Sequence, residues 1–161
     1  MTKLVIVSDS HNTPHVVKKI LNAEKDAAAV IYLGDGLKDL DLALTEHPRL
    51  RAYAVAGNCD FGALEPWDGL AVFEKVILYY THGHNQGVKY ELDTLLSVAK
   101  NRGAEVALFG HSHRPFCEER DGVLLFNPGS CSRSMNALNT YGVLMLEDGK
   151  VVSAEHKEVP V

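Results

Sequence analysis

The sequence has few cysteines and no long apolar run. Its three cysteines, Cys59, Cys117 and Cys131, form no CxxC pair, so neither a disulfide framework nor a zinc ribbon is indicated. No apolar stretch approaches the ~20 residues of a membrane span, and the apolar run at residues 4–7 is too short for the core of a signal peptide. We therefore expect a reduced, cytoplasmic location and no membrane attachment.

Positive charge is also scarce, since 16 Lys and Arg stand against 21 Asp and Glu, a formal net charge of −5. Stable, sequence-independent binding of DNA or RNA needs a basic face, so we expect none, although nucleic acid as a small or transient substrate stays open. The 161 residues are 46% hydrophobic and show no repeat or linker. This length and composition predict one packed domain over residues 1–161.

Short apolar runs alternate with segments of helical spacing along the chain. The pattern predicts strands at 4–7, 29–33, 51–55, 70–73, 76–80 and 106–109, helices at 14–24, 37–46 and 89–101, and hairpins at Asp121-Gly122 and Asp148-Gly149. The β-α-β-α-β beginning predicts a mainly parallel sheet, and the second half reads as more antiparallel. We therefore expect an α/β fold of two packed sheets with helices outside.

Carboxylates, amides and imidazoles follow these strands. Five of the eight histidines and three acidic or amide residues lie in such loops: Asp9, His11, Asp35, Asn58, His82, His84, His111 and His113. The carboxyl ends of strands are where open α/β sheets place their ligand sites. The pattern therefore predicts that these side chains meet at one site.

The residue types are those of a transition-metal site. Carboxylate and imidazole suit Mn, Fe, Zn or Ni, and two ions need about seven protein donors with one shared between them. All of the strand-end residues except His84 form such a set. The glycines before Asp35, Asn58 and His111 are expected to let the backbone turn sharply and approach an ion closely.

Five ordered motifs in this set resemble a known signature. Asp9-x-His11, Gly34-Asp35, Gly57-Asn58, His82-Gly83-His84 and Gly110-His111-Ser112-His113 resemble the calcineurin-like metallophosphoesterase superfamily, in its small, single-domain prokaryotic phosphodiesterase branch. Asn58-Cys59-Asp60 and Asn127-Pro128-Gly129-Ser130 are also similar to that branch, which places the latter segment near the site in a supporting role. The resemblance covers residues 9–130.

The resemblance implies a four-layer α/β/β/α sandwich of two mixed sheets flanked by helices. It also implies two divalent ions, with Mn expected and Ni, Fe or Zn as alternatives. One ion is expected on Asp9, His11, Asp35 and His113, and the other on Asp35, Asn58, His82 and His111. The expected reaction is hydrolysis of a phosphate ester by in-line attack of a metal-bridging hydroxide, with catalytic contributions from Asp35 and Asn58.

One departure from related protein phosphatases bears on the substrate. Many of them carry a histidine directly after the metal-binding Asn, thought to protonate the leaving oxygen, and this chain has Cys59 there. A thiol is a poorer proton donor to an alkoxide, so we expect a preference for phosphodiesters or activated esters over phosphoserine proteins. His84 is a candidate for the missing proton donor.

Several alternatives stay open at this point. The same site could serve a phosphomonoesterase or a cyclic-nucleotide phosphodiesterase, and a non-catalytic scaffold could keep the fold without the activity. A scaffold tolerates loss of metal donors, whereas this chain retains all seven. We expect a small phosphate ester as partner and leave open a homo-oligomer formed through an exposed edge strand.

Overall fold

The fold consists of two five-stranded sheets packed face to face, with helices on their outer surfaces. The computed structural model describes residues 1–134 and 138–161. The strands are β1 Thr2–Val7, β2 Ala29–Tyr32, β3 Arg51–Ala54, β4 Asp68–Phe73, β5 Val76–Thr81, β6 Val106–Leu108, β7 Phe116–Arg120, β8 Val123–Asn127, β9 Thr140–Glu147 and β10 Lys150–Glu158. The helices are α1 Pro14–Ala23, α2 Leu37–Leu44 and α3 Asp93–Asn101, with a short 3-10 turn at His84–Gln86.

Both sheets are mixed. The first has the order β10-β9-β1-β2-β3, in which β1, β2 and β3 are parallel and β9 and β10 form an antiparallel hairpin. The second has the order β4-β5-β6-β8-β7, with a parallel centre of β5, β6 and β8. The second half is thus less antiparallel than the sequence suggests, because α3 crosses over from β5 to β6. The four-layer arrangement of two mixed sheets is confirmed.

The apolar run of β1 explains the layering, because its successive side chains point to opposite faces of the sheet. Leu4 and Ile6 pack into the core between the two sheets, while Val5 and Val7 pack against α1 and α2. A third apolar cluster joins α3 to the outer face of the second sheet. A strand buried on both faces therefore carries no polar residue until it reaches the edge of the core.

The third helix begins four residues later than the sequence predicts. The segment expected to open it at residue 89 instead forms a turn, in which Glu91 donates its backbone N–H to Gly87. The Glu91 carboxylate then accepts hydrogen bonds from the backbone N–H groups of Asp93 and Thr94, at 2.6 and 3.2 Å. These contacts satisfy the first N–H groups of α3, which is why the helix starts at Asp93. None of the helices in the described part of the chain is long and apolar enough to cross a bilayer.

A buried carboxylate joins elements from both ends of the chain. Glu24 is 4% exposed, and its carboxylate contacts the Lys3 ammonium at 2.6 Å. It also accepts hydrogen bonds from the Tyr141 hydroxyl at 2.7 Å and the Lys157 ammonium at 3.2 Å. Burial alone would raise the pKa of Glu24, and these three donors lower it below its ordinary value. The ionised form is therefore part of the stable structure.

We predict that Glu24→Gln lowers the free energy of unfolding by about 2 kcal/mol at pH 7, because three donors lose a charged acceptor. The pKa of Glu24 is lower in the folded state, so this contribution is complete above the unfolded-state pKa of about 4.3 and disappears as the pH falls through the folded-state value. Urea unfolding at pH 7 and at pH 3 measures both effects.

The matched control is Glu46→Gln, because Glu46 pairs with Lys18 at 3.6 Å with its side chain half exposed. An exposed pair of this kind is expected to contribute less than about 0.5 kcal/mol. Equal losses in the two variants, or a Glu24→Gln loss that does not change between pH 7 and pH 3, would contradict the assignment.

Candidate metal centre

The polar loops that follow β1, β2, β5 and β6 meet at one edge of the sandwich. Within the first sheet, the backbone N–H of Asp9 donates to Gly34 C=O at 3.0 Å. Within the second, the backbone N–H of Gly110 donates to His82 C=O at 2.9 Å. A bond across the two sheets completes the connection, since the backbone N–H of His111 donates to Asp9 Oδ2 at 3.1 Å. The strand ends of both sheets therefore form a single site.

Two carboxylates lie at the centre of this site, each held by one oxygen. Asp9 Oδ2 accepts from His111 N–H, and Asp35 Oδ1 accepts from the backbone N–H of Cys59 at 2.8 Å. The other oxygens face imidazoles. Asp9 Oδ1 is 3.3 Å from His113 Nε2, and Asp35 Oδ2 is 3.2 Å from His82 Nε2. Each carboxylate therefore directs one oxygen into the site.

His11 lies between the two carboxylates. Its Nε2 is 3.6 Å from Asp9 Oδ1 and 3.7 Å from Asp35 Oδ2. The same nitrogen is 3.2 Å from His113 Nε2. His11 thus connects the Asp9 side of the site to the Asp35 side.

Backbone carbonyls fix the orientation of two of the imidazoles. His82 Nδ1 donates to Leu33 C=O at 2.6 Å, and His113 Nδ1 donates to Arg133 C=O at 3.1 Å. In the neutral ring, a proton on Nδ1 leaves Nε2 with a free lone pair, and Nε2 faces the carboxylates. Metal-binding histidines in proteins are held in the same way, with the second ring nitrogen donating to a carbonyl or carboxylate.

Asp9 Oδ1 is buried and has no hydrogen-bond partner among the described residues. Asp9 itself is 0% exposed. A buried charged oxygen without a donor is costly, and here it faces ring nitrogens that can offer lone pairs. A divalent cation satisfies all of these atoms together, so the residues present fit a metal ion.

The pKa shifts describe a site that attracts positive charge. Burial alone would raise the pKa of Asp35, and the hydrogen bond with His82 lowers it below its ordinary value. Burial alone would lower the pKa of His82, and Asp35 and Asp9 raise it. His111 has the opposite shift, because burial and the charges of His82 and Lys89 lower its pKa to about 4. One positive charge is therefore favoured beside the carboxylates, and His111 stays neutral.

Six of the seven predicted ligands fall into compact groups of three. The atoms of each group lie within 4.8 Å of one another, and the groups are Asp9–His11–His113, Asp35–His82–His111 and His11–Asp35–Cys59. The first two groups match the two predicted ion sites, apart from Asn58 and the second use of Asp35. Asn58 has an exposed side chain, and its Nδ2 lies 3.7 Å from Cys59 Sγ. Its part in metal binding stays a prediction, and Cys59 is a donor that the sequence did not indicate.

The backbone is strained at five of these positions. Asp9, His11, Asp35, His111 and His113 have φ angles between 45° and 69°, a region that residues other than glycine rarely adopt. Each such residue costs about 1–3 kcal/mol and persists only where surrounding contacts hold it. Strain at candidate ligands in three separate loops indicates that the fold aims these side chains at one point.

The three glycines of the motifs make room for neighbouring loops, and their predicted role in a close approach to an ion stays a prediction. A Cβ atom on Gly34 would lie 2.7 Å from the backbone nitrogen of Gly57 and 2.9 Å from His82 Nδ1. A Cβ atom on Gly57 would overlap the Asp35 carboxylate, and one on Gly110 would lie 2.8 Å from Asp9 Oδ2. A side chain at any of them would push a ligand loop out of place.

Asp60 connects two of the loops and was not identified as a functional residue by the sequence. Its Oδ2 accepts from the backbone N–H groups of Asp35 and Gly57, at 2.7 and 2.8 Å. Its Oδ1 accepts from Gly36 and Leu37 at the start of α2, at 2.9 and 3.1 Å. Asp60 therefore caps α2 and holds the Asp35 loop against the loop that follows β3. The only sequence signal was its place as the last residue of the Asn58-Cys59-Asp60 motif.

The segment from Asn127 to Ser130 holds the loops that carry the candidate ligands, as expected. Asn127 Nδ2 donates to Gly110 C=O at 3.2 Å and to Ser112 Oγ at 3.0 Å, which fixes the loop between His111 and His113. Ser130 Oγ donates to the backbone carbonyl of Asp9 at 2.8 Å. Neither side chain belongs to the three donor groups.

His84 lies next to the donors but outside the three groups. Its ring centroid is 5.4 Å from that of His82, 6.0 Å from that of His111 and 5.2 Å from that of the half-exposed Trp67. Its Nδ1 is buried and has no hydrogen-bond partner in the described ranges 1–134 and 138–161. Burial and the charge of His82 lower the pKa of His84, so its imidazole is neutral at pH 7.

Comparison with solved structures supports the fold. A conserved uncharacterised protein of Streptococcus pneumoniae TIGR4, named as a predicted phosphoesterase, superposes with a TM-score of 0.80 over 98% of this chain and 97% of its own, at 22% identity. Vps29 of Chaetomium thermophilum superposes with a TM-score of 0.76 over 99% of this chain and 98% of its own, at 19% identity. At these identities the similarity concerns the fold alone.

Relatives found by sequence share more identical residues with this chain than the two superposed structures do. The probable metallophosphoesterase YsnB of Bacillus subtilis is 34% identical over 148 residues, covering 90% of this chain and 85% of the relative. Phosphodiesterase YfcE of Escherichia coli K12 is 32% identical over 156 residues, covering 82% of this chain and 80% of the relative. The sequence profile of the calcineurin-like phosphoesterase superfamily domain matches residues 2–149. A match of this extent, with two relatives above 30% identity, shows that the chain belongs to the calcineurin-like phosphoesterase superfamily.

Proposed function

We propose that the protein is a divalent-metal-dependent phosphodiesterase that hydrolyses small phosphate esters. The observation that carries this proposal is the pair of buried carboxylate oxygens, Asp9 Oδ1 and Asp35 Oδ2, facing the ring nitrogens of three histidines. The family supports phosphoester hydrolysis, and two relatives are named phosphodiesterases. The proposed partner is a small phosphate ester in the cytoplasm.

Two ions fit the donors better than one. Asp35 Oδ2 lies between His82 on one side and His11 on the other, which is the place of a shared ligand. The proposed ligands of the first ion are Asp9, His11, Asp35 and His113, and those of the second are Asp35, Asn58, His82 and His111. Imidazole with carboxylate suits Mn, the expected ion, and also Ni, Fe or Zn.

When bound, divalent ions at such a site neutralise phosphoryl charge and lower the pKa of water, which makes a nucleophile available for in-line attack at neutral pH. The protein contributes the placement of the donors. Asp9 and Asp35 hold the negative charge that retains the ions, and the Nδ1–H bonds of His82 and His113 keep their Nε2 atoms directed at the site. Asp60 and Ser130 keep the loops from moving apart.

Proton delivery to the leaving oxygen is the weakest part of this machinery. His84 is the proposed donor, but burial and the charge of His82 lower its pKa, so that the imidazolium form, which carries the proton to be donated, is scarce at pH 7. The Cys59 thiol faces the same site, and burial followed by the charge of Asp35 raises its pKa above the usual value. Neither group is a strong acid near pH 7, so esters whose leaving groups need little protonation should react faster. This favours phosphodiesters and activated esters over phosphoserine.

We predict that bis(p-nitrophenyl) phosphate is hydrolysed faster than p-nitrophenyl phosphate or a phosphoserine peptide, and only when Mn, Ni, Fe or Zn is present. EDTA should abolish the reaction and added metal should restore it. Asp35→Asn and His82→Ala should each reduce kcat/KM at least about a hundredfold, because each removes a proposed ligand. His15→Ala, an exposed histidine on α1, is the matched control and should retain wild-type activity.

The outcomes separate the competing functions. Faster hydrolysis of the monoester would keep the metal site and replace the proposed activity by that of a phosphomonoesterase. Folded protein that hydrolyses none of these substrates with any of the four metals would favour the non-catalytic scaffold. Unchanged activity in Asp35→Asn would contradict the site itself.

We also predict that Asp60→Asn weakens Mn²⁺ binding by about tenfold, because the amide nitrogen of Asn can no longer accept from two of the four backbone N–H groups. Calorimetric titration of the metal-free protein with Mn²⁺ measures the affinity. Asp93→Asn, an exposed carboxylate at the start of α3, is the control with unchanged affinity. A wild-type affinity in Asp60→Asn would show that Asp60 supports only α2 and not the metal site.

A further inference from the structure

Two clefts adjoin the donor groups and have no lining residue in common. One, of about 840 Å³, is reached past His11, Asp35 and Cys59, and the other, of about 610 Å³, is reached past His111 and His113. We call the first the acidic cleft and the second the basic cleft. Because both begin at proposed metal ligands, a phosphodiester at the metal centre would direct one substituent towards each cleft.

The two clefts differ in charge. Five carboxylates and two cationic side chains line the acidic cleft, among them Glu65, Lys38 and Arg133. The basic cleft is lined by Lys89 and Arg114, and none of its lining residues in the described part of the chain is acidic. An anionic group on a substrate would therefore be repelled on one side of the metal centre and attracted on the other.

The cations of the basic cleft are available to a ligand. Lys89 and Arg114 are both exposed, and neither forms an ion pair with a carboxylate of residues 1–134 or 138–161. Lys89 lines the same cleft as the proposed metal ligands His111 and His113. A second anion held by Lys89 would thus lie close to the site of hydrolysis.

Apolar side chains form the remaining wall of the basic cleft. Leu92, Pro115 and Phe116 are partly buried along it, and the Phe116 ring packs against that of Phe109 at 6.1 Å. A surface of this kind suits the apolar or planar part of a ligand, while Lys89 and Arg114 suit its charge. The combination fits an organic phosphate better than a free inorganic ion.

We propose that the basic cleft binds a second phosphate group of the substrate through Lys89 and Arg114. The substrate class is then a phosphodiester that carries a further phosphate on one of its two substituents. This inference rests on the proposed phosphodiesterase function and specifies its substrate. The acidic cleft receives the other, uncharged or cationic, substituent.

The test compares two chromogenic esters that differ by one phosphate. They are the p-nitrophenyl ester of thymidine 5′-phosphate and the same ester with a phosphate on its 3′ oxygen. Water adds to phosphorus and the bond to the aryl oxygen breaks, which releases p-nitrophenol and thymidine 5′-phosphate or thymidine 3′,5′-bisphosphate. We expect about a tenfold higher kcat/KM for the 3′-phosphorylated ester, from two exposed charge contacts.

The double variant Lys89→Met/Arg114→Met should hydrolyse both esters at similar kcat/KM, because both side chains are exposed and their loss removes charge without a buried contact. Lys150→Met, in the hairpin at the opposite end of the first sheet, is the matched control and should keep the tenfold ratio. A wild-type protein without preference, or a double variant that keeps the preference, would overturn the proposal.

A binding measurement tests the basic cleft independently of the proposed phosphodiesterase activity. Calorimetry at fixed free Mn²⁺ should show that wild-type protein binds thymidine 3′,5′-bisphosphate about tenfold more tightly than thymidine 5′-phosphate, and that the double variant does not. If this difference is found but neither ester is hydrolysed, the phosphodiesterase function is wrong and the basic cleft is supported. If both esters are hydrolysed equally, the function is supported and the basic cleft is wrong.

Discussion

The carboxylate of Asp9 is fully buried where the loops of the two sheets meet, and one of its oxygens has no hydrogen-bond donor among the described residues. That oxygen could be satisfied by protonation, by an imidazolium or by a cation. Burial alone would raise the pKa of Asp9, and the imidazoles of His11, His113 and His82 beside it lower the pKa well below its ordinary value. The site is thus built around retained negative charge, and the histidines, Asp35 and the clefts are arranged around it.

This constraint accounts for features that otherwise look unrelated. Strained backbone at the candidate ligands aims their side chains inward, and glycines at 34, 57 and 110 let the ligand loops touch. Asp60 and Asn127 hold these loops through backbone groups rather than through the ligands themselves. The apolar burial of the sheet strands stabilises the fold and offsets the free-energy cost of the strained backbone. A rigid sandwich therefore supports a site made entirely of loops.

Much of this could be predicted because the informative signals are local. A buried strand appears in the sequence as an apolar run, and the polar residue directly after the run marks the end of the strand. The pattern of runs therefore predicted two packed sheets with helices outside. The polar residues after the runs predicted that Asp9, Asp35 and the histidines meet at one site. Asp60 could not be assigned because its partners are backbone N–H groups from another loop, which leave no trace in sequence. The start of α3 was misplaced because the Glu91 carboxylate satisfies the first N–H groups of the helix. The orientation of Asn58 and Cys59 and the charge of the two clefts depend on how loops distant in sequence pack.

We propose that the buried donors hold two cations that share Asp35. The most direct measurement is anomalous diffraction at the manganese absorption edge, from crystals of the protein grown with Mn²⁺. The account predicts two peaks, one within bonding distance of Asp9, His11 and His113 and the other within bonding distance of His82 and His111, with Asp35 between them. A single peak, peaks elsewhere on the protein, or an Asp9 carboxylate that is hydrogen-bonded to an imidazolium with no peak beside it would contradict this account.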